Sequence, residues 1–300
     1  MTWALPRNPV RSLRDREYTI REKEVLLGYA LILPSLIVVS ITLLYPVAYN
    51  VYLSFTNVPI DPTQSPQWVG LQNYQDLLTD PRFQEAVQNT FVFTFLSDVG
   101  ATLAGLGVAL LFRRQFPGRR FARGLVLLPY IAPLVATAFA WRWLWHPLYG
   151  VLTFFAGDVL GVVPTDTDIR NNIYMVVLYE TWRYFPFAFL LILARLQSIP
   201  EELYEAARID GAGRLAQFKD ITLPELQFVL ATVFLLRWIW NFNVFADIWL
   251  FTQDFPVLGT FVYQVGFNTF NQGLAAATAM LMVVALFIMV GVYVRWVLDW

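Results

Sequence analysis

The chain has no cysteine and a single histidine, His146. Disulfides, thiolate nucleophiles, cysteine-based zinc or iron–sulfur sites and multi-histidine metal centres are thereby excluded. Lysine is almost as scarce. Only Lys23 and Lys219 occur, followed by Glu24 and Asp220, so there is no GK[ST] phosphate loop and the chain is not itself a P-loop ATPase. Charged residues make up only 14% of the 300, and 21 basic against 22 acidic side chains leave a net charge of -1, which offers no electrostatic footprint for nucleic acid. No long low-complexity run, internal repeat or linker divides the chain. What fills it is apolar: 57% of residues are hydrophobic and 17% aromatic, with a mean hydropathy of +0.52. That is the composition of an integral membrane protein.

A helix crossing hydrocarbon needs about 20 mostly apolar residues. Six stretches qualify, at 25–48, 89–112, 124–146, 172–194, 226–251 and 273–297. The expected architecture is therefore all-α with six transmembrane helices, a basic N-terminal segment at 1–24 and one membrane domain over 25–300. The first span is longer than a signal-peptide core and has no small-residue cleavage site, so it is expected to stay.

Lys and Arg concentrate on the cytoplasmic side of membrane proteins. They cluster here in the N-terminal segment (Arg7 to Lys23), in loop 112–123 (Arg113, Arg114, Arg119, Arg120, Arg123), in loop 195–224 (Arg195, Arg208, Arg214, Lys219) and at Arg295. The opposite side holds Arg82 and Arg170. Both termini are expected in the cytoplasm, with the protein in the cell membrane. Basic loop 112–123 is explained as a topology signal, and it also suits contact with anionic lipid heads. Residues 56–85 form a turn-rich external loop in which Asn73–Leu78 and Pro81–Val87 read as short surface helices.

Loop 195–224 is polar and organised. Ser198-Ile199-Pro200-Glu201 has the spacing of a capping box with proline near the first turn, so a helix should start there. Leu203, Ala206 and Ala207 share one face, while Glu201, Glu202 and Glu205 keep another acidic. Asp210-Gly211-Ala212-Gly213 stops this helix, and Leu215–Ile221 restarts it before Thr222-Leu223-Pro224 leads into the fifth span.

Glu205-Ala206-Ala207, Asp210-Gly211-Ala212, Phe218, Ile221 and Leu223-Pro224 resemble the EAA loop of bacterial-type ABC importer permeases. The resemblance covers nearly the whole chain beyond residue 24 and is nearest to the carbohydrate-uptake group, similar to the maltose and glycerol-phosphate permeases. Leu33-Pro34-Ser35, Tyr45-Pro46, Leu53-Ser54-Phe55, Val69-Gly70-Leu71-Gln72-Asn73-Tyr74, Leu128-Pro129-Tyr130, the Trp-rich 141–145 and Gly273–Ala277 carry it. It implies a type I ABC importer permease fold in which Glu205, Ala206, Ala207, Asp210, Gly211 and Ala212 belong to a cytoplasmic coupling helix that docks on the ATPase. It implies as partners a second permease subunit in a heterodimer, two ATP-binding subunits that use ATP and magnesium, and an extracytoplasmic sugar-binding protein. No cofactor and no catalysis are expected of the chain itself, which lies in membrane lipid. Unlike the maltose permease, it is expected to do without extra N-terminal helices and a large external domain.

A sugar site needs aromatic faces for pyranose rings beside amides and carboxylates for their hydroxyls. Trp238–Asn243 puts both within one and a half helical turns, and buried amides want a pore or a partner helix. Asn241, Phe242 and Asn243 are accordingly expected at the substrate. The resemblance adds Tyr130, Tyr184 and Phe187, which fall where the family lines its site. Glu180 and Arg183 are three apart on one face: they pair with each other, or Glu180 turns into the cavity towards substrate hydroxyls. Asp247, four residues beyond Asn243, is expected to follow Glu180. Arg142 and Arg237 are expected at an interface or paired with an acid, His146 suits a span end, and Asp98 has no assigned role.

Two other classes fit the sequence less well. An ion-coupled secondary carrier would show related halves and leaves loop 198–224 unexplained. A membrane enzyme would need a nucleophile, metal ligands or paired acids for which the sequence supplies little material.

Overall fold

The computed structural model describes residues 20–59, 61, 63–161, 172–252 and 255–297, without the side chains of 20–23 and 158. Most of the basic N-terminal segment and Arg170 lie outside the described residues. By contacts the chain forms two units, Met1–Tyr52 and Leu53–Trp300.

The first unit holds most of helix α1, which runs Ile20–Val39, loosens into a π turn at Ser40–Leu44 and continues as Tyr45–Ser54. Pro34 sits inside it without breaking it. The large apolar side chains from Val25 to Tyr52 are exposed on all sides, the surface of a helix whose solvent is hydrocarbon.

In the second unit a short antiparallel pair, β1 (Thr56–Asn57) and β2 (Gln67–Trp68), opens the chain. Helix α2 (Gln72–Thr79) follows, and its Asn73 amide donates to the carbonyls of Ser54 and Thr56, both at 3.0 Å, which ties α2 to the strand pair. Helix α3 then runs Pro81–Arg113 without interruption. The separate surface helix expected at 81–87 is instead the first two turns of this 33-residue helix, capped by Asp80, whose carboxylate accepts from the Arg82 amide at 2.8 Å. Polar Gln88 and Asn89 interrupt the hydrophobic pattern there but contain no helix breaker.

The third expected span is broken. Helices α4 (Arg119–Ile131) and α5 (Leu134–Leu144) meet at 94° across Ala132-Pro133, because proline removes a backbone donor and restricts the residue before it. Short helix α6 (Val151–Phe154, extended by a π turn Phe155–Val159) precedes α7 (Ile173–Ser198). Helix α8 (Glu201–Ile209) is the surface helix of the polar loop, and α9 (Arg214–Phe242) carries a π turn at Phe218–Thr222. The fifth span, expected to reach 251, ends at Phe242: Asn243 caps it, and a separate helix α10 (Ala246–Phe251) follows. Helices α11 (Leu258–Tyr263, with a π turn to Asn268) and α12 (Gln272–Val297) complete the fold. Among the described residues five helices are long and apolar enough to cross a membrane, and the bent α4–α5 pair makes six if it is one span.

Helices α3 and α7 form the central pair. They approach closely through small residues: a Cβ added at Gly105 would stand 2.6 Å from the Ala188 Cβ and 2.8 Å from the Phe189 nitrogen. Around their Arg113 and Ser198 ends, Ala109, Phe112, Phe189, Ile192, Leu196, Tyr204 and Leu226 form one core cluster. A second, at the opposite end, joins Leu77 and Phe83 to Phe261, Val265 and Ala277. Between them Phe93, Trp141, Tyr179, Ile248 and Phe251 form a third, next to the polar site.

Candidate functional site

Five helices place ionisable or polar side chains at one depth. From α9, Arg237 is 1% exposed and stands between two acids, with its Nε 3.7 Å from Asp98 Oδ1 of α3 and its Nη2 3.4 Å from Glu180 Oε2 of α7. Asn241, one turn further along α9, donates to Asp98 Oδ1 at 2.7 Å. The Arg237 guanidinium also lies over the Tyr184 ring, 4.2 Å from its centroid. Arg183 points to the other side, donating to Thr137 of α5 at 2.7 Å and approaching Asp247 of α10 at 3.9 Å, while Thr137 and Tyr179 share a hydrogen bond of 2.9 Å.

Charge in hydrocarbon persists only when paired, so this network connects α3, α5, α7, α9 and α10 through groups that none of them could bury alone. Glu180 and Arg183 are therefore not paired with each other. Each finds its partner on a different helix, because the break at 243–245 brings α10 back across α7. Arg142 donates to the Leu250 carbonyl at 3.1 Å, pinning α10 to α5.

Beside the network opens a cavity of about 510 Å³ lined by Tyr130, Glu180, Tyr184, Arg237, Trp240, Asn241, Asn243, Val244, Phe245, Ala246 and Asp247. Of the eight side chains expected at a substrate, Tyr130, Glu180, Tyr184, Asn241, Asn243 and Asp247 line it. Phe187 stands at its rim, against Tyr130 and Trp240, with ring centroids 6.2 and 5.0 Å away. Phe242 does not reach it: at 1% exposure it packs edge-on to Phe91 on the opposite side of α9, where the 3.6-residue period puts a neighbour of Asn241 and Asn243. Trp240, from the aromatic and amide segment, and Arg237, paired with acids as one of its two expected placements had it, also line the cavity, and Asp98, Thr137 and Tyr179 support it from behind. The signal available for them was the short inventory of charges inside spans, three acids against a few arginines, which must find one another in a low-dielectric interior. His146 lies apart, its Nδ1 accepting from the Leu148 amide at 3.2 Å and its ring stacked on Tyr149.

The polar loop is a second, differently built region. Ser198 does not cap α8: it is the last residue of α7 and its hydroxyl donates back to the Arg195 carbonyl at 2.8 Å, so the expected capping box is absent and Pro200 stands at the cap position. The far end follows expectation. The Ala212 amide donates to the Ala207 carbonyl at 2.8 Å and the Gly211 amide to that of Arg208 at 3.1 Å, a Schellman closure with Gly211 at φ +83°. Tyr204, buried to 2% exposure, anchors α8 to the bundle by sharing a 2.9 Å hydrogen bond with Thr222 and lying under the Arg113 guanidinium at 3.7 Å. Arg113 also binds Glu201 at 3.2 Å. On the outer side Glu205, Ala206 and Asp210 are exposed, and Ile209 and Leu215, at 87% and 80% exposure, flank the Gly211 turn. The loop thus carries an apolar tip on a polar surface and is anchored by one buried tyrosine.

A bundle of membrane-spanning helices with a polar cavity beside a buried charge network is the architecture of a membrane permease. The chain belongs to the family of binding-protein-dependent transport system inner membrane components, whose model matches residues 101–300. It is 38% identical over 261 residues to the inner membrane ABC transporter permease protein YcjO of Escherichia coli (strain K12), covering 86% of this chain and 89% of that protein. It is 35% identical over 262 residues to the trehalose/maltose transport system permease protein MalF of Thermococcus litoralis, covering 85% and 86%. The fold is the type I importer permease fold. A chain of a bacterial ABC transporter involved in the import of the acidic polysaccharide alginate superposes with a TM-score of 0.78 over 95% of this chain and 97% of that one, at 23% identity.

Proposed function

We propose that this chain is one of two non-identical permease subunits of an ATP-driven importer of sugars, with mono-, di- and oligosaccharides, polyols and sugar phosphates as the substrate class. The observation that carries this reading is the cavity at the C-terminal end of α9. Tyr130, Tyr184 and Trp240 offer ring faces to a pyranose, and Asn241, Asn243, Glu180 and Asp247 offer amides and carboxylates to its hydroxyls. Carbohydrate-importing relatives among the family support it as well.

Helix α8 and the Gly211 turn dock into a cleft of a separate ATP-hydrolysing subunit, which uses ATP and magnesium. Glu205 makes a charge-assisted contact there, Ala206, Ala207 and Ala212 allow close approach, and Asp210-Gly211 sets the turn. Both termini and α8 lie on the cytoplasmic side, and the loop around β1, β2 and α2 faces an extracytoplasmic sugar-binding protein. ATP-driven closure of the partner pulls on α8. Because Tyr204 joins α8 to the ends of α3 and α9, that pull reaches the helices that wall the cavity, which opens outward to receive sugar and returns inward after hydrolysis. The bend at Pro133 and the breaks around Asn243 give those helices places to flex.

The test is co-purification of the tagged chain from its native host, followed by reconstitution. A second permease and a P-loop ATPase should be recovered, and vesicles holding the assembly should accumulate labelled maltose or trehalose only with ATP and binding protein. Transport by the chain alone, without nucleotide, would overturn the reading.

A further inference from the structure

A second cavity, which shares no lining residue with the first, opens where α3, α8 and α9 meet. It measures about 580 Å³, and four arginines line it against a single acid, Glu201. Arg113 and Arg114 come from the end of α3, Arg208 from α8 and Arg214 from the start of α9. Even with Glu205, which reaches Arg208 at 3.9 Å without lining the cavity, arginines outnumber acids by two.

The four differ in what already holds them. Arg113 lies over the Tyr204 ring and binds Glu201 at 3.2 Å. Arg208 donates to the Tyr204 carbonyl at 3.2 Å and stands 3.6 Å from Glu201. Arg114 and Arg214 have no hydrogen-bond or ion-pair partner among the described residues. Behind them the buried hydroxyls of Tyr204 and Thr222 share their hydrogen bond, beside the apolar side chains of Leu110 and Phe218. Like charges gathered in a concave site focus the field and draw in an anion, and the guanidinium fork matches the oxygens of a phosphate.

Placement narrows the anion. Glu201, Tyr204 and Arg208 recur at helical spacing on one face of α8, while Ala206, Ile209 and Asp210 are exposed on other faces. The cavity is thus turned away from the surface that a docked subunit would cover. Arg113 ends a helix long and apolar enough to cross a membrane, and Leu111 just before it is 69% exposed. The arginines therefore stand where a membrane helix leaves hydrocarbon, the level at which basic pockets meet lipid phosphates.

We propose that this cavity is a phosphate site, occupied by the head group of an anionic phospholipid or by a soluble polyphosphate, and that the bound anion fastens α8 to the ends of α3 and α9. The site stands apart from the sugar-importer reading; only its consequence for coupling rests on that reading. An anion held jointly by Arg114, Arg208 and Arg214 adds a second joint to the one that Tyr204 makes, so movement of α8 passes to the bundle with less slack.

The test uses the full assembly, without ATP, as wild type, as Arg114→Gln/Arg214→Gln, and as Arg120→Gln. Arg120 is an exposed basic side chain of the same segment that does not line the cavity. Native mass spectrometry from nanodiscs of phosphatidylcholine with a minority of phosphatidylglycerol reads the retained lipid. Equilibrium dialysis of labelled pyrophosphate against nanodiscs of phosphatidylcholine alone reads the soluble source, and pyrophosphate held by the ATP-binding subunits is common to all three assemblies. Neither substituted arginine has a protein partner to lose, so the double variant should melt as wild type; Arg214→Gln alone gives the same reading at smaller amplitude if it does not. Retention of phosphatidylglycerol by wild type and Arg120→Gln, weakened about tenfold in the double variant, supports the site with lipid as its occupant. The same pattern for pyrophosphate, without lipid discrimination, supports it with a soluble occupant. Equal binding of both probes by all three assemblies overturns the site, as does an equal loss in Arg120→Gln, which would mark a general surface charge. Loss of the ATPase from the double variant with both probes unaffected also overturns it, and assigns the arginines to an acidic surface of the partner.

Discussion

Arg237 and Arg208 each stand beside two carboxylates, yet they belong to different physical regimes. Arg237 is 1% exposed, and its acids, Asp98 and Glu180, come from two other helices. Arg208 has a side chain 57% exposed, and its acids, Glu201 and Glu205, lie on its own helix at 3.6 and 3.9 Å. In hydrocarbon a lone charge is intolerable, so the first set must be complete before the helices can come together. In water the second set contributes almost nothing to stability, and its residues are free to serve contact with another protein. One region is polar because its charges complete one another inside the bundle, the other because it faces water.

The largest expected effect comes from removing the cation of the buried set. Arg237→Met leaves Asp98 and Glu180 facing each other unpaired, a loss of about 3–5 kcal/mol. It should appear as greatly reduced yield of the assembled permease and a collapsed thermal transition in detergent. Arg208→Met, the matched change in the exposed set, should alter stability by less than about 1 kcal/mol. Comparable melting of the two variants would erase the distinction between the regions.

The second effect lies in transport, not in melting. Gly211 holds φ +83°, and a β-branched side chain there costs roughly 1–2 kcal/mol locally. Gly211→Val should therefore insert and melt nearly as wild type but lose uptake by tenfold or more, since the Ala212 and Gly211 amides that close α8 are displaced. Ile209→Asp sharpens the point. This side chain is 87% exposed, so stability should move by no more than about 0.5 kcal/mol while recovery of the ATPase with the tagged chain falls. Retained ATPase binding in both variants would dissociate the loop from coupling.

These two regions were also unequally legible in the sequence. The loop could be read because its signals are local: a glycine that needs positive φ, alanines at helical spacing and a proline just after the π turn of α9 all act within a few residues. Its one failure, the capping box at Ser198, arose because α7 continues through the residue that was expected to start α8. The buried network was legible only as an inventory. Glu180 and Arg183 fit a local i,i+3 pair equally well, and nothing within their own helix reveals that Arg237 and Asp247 arrive from elsewhere. Phe242 was placed at the cavity by its polar neighbours, yet a helix turns its consecutive residues to different faces. The 94° bend at Pro133 and the end of α9 at Asn243 were marked by proline and asparagine, but hydropathy alone ran across both.

The smallest effect concerns a charge that belongs to neither region, and it separates pairing from capping. Asp80 caps α3, with its carboxylate accepting from the Arg82 amide at 2.8 Å and pairing with the Arg82 guanidinium at 3.0 Å. The side-chain bond from Arg82 and then the backbone amides outweigh its slight burial and hold its carboxyl below the usual carboxylate range. A carboxyl depressed on folding stabilises the folded state above its ordinary pKa, and that contribution fades as pH falls through the depressed value. Asp80→Ala should cost about 1 kcal/mol at neutral pH, the usual worth of an N-cap. Asp80→Asn keeps an acceptor of equal capping strength but no charge, so it should retain most of that stability and lose its pH dependence between about pH 4 and the depressed value. If Asp80→Asn instead melts like Asp80→Ala, the exposed ion pair with Arg82 contributes more than the cap. The rule that surface charges here are dispensable would then hold for α8 but not for the start of α3.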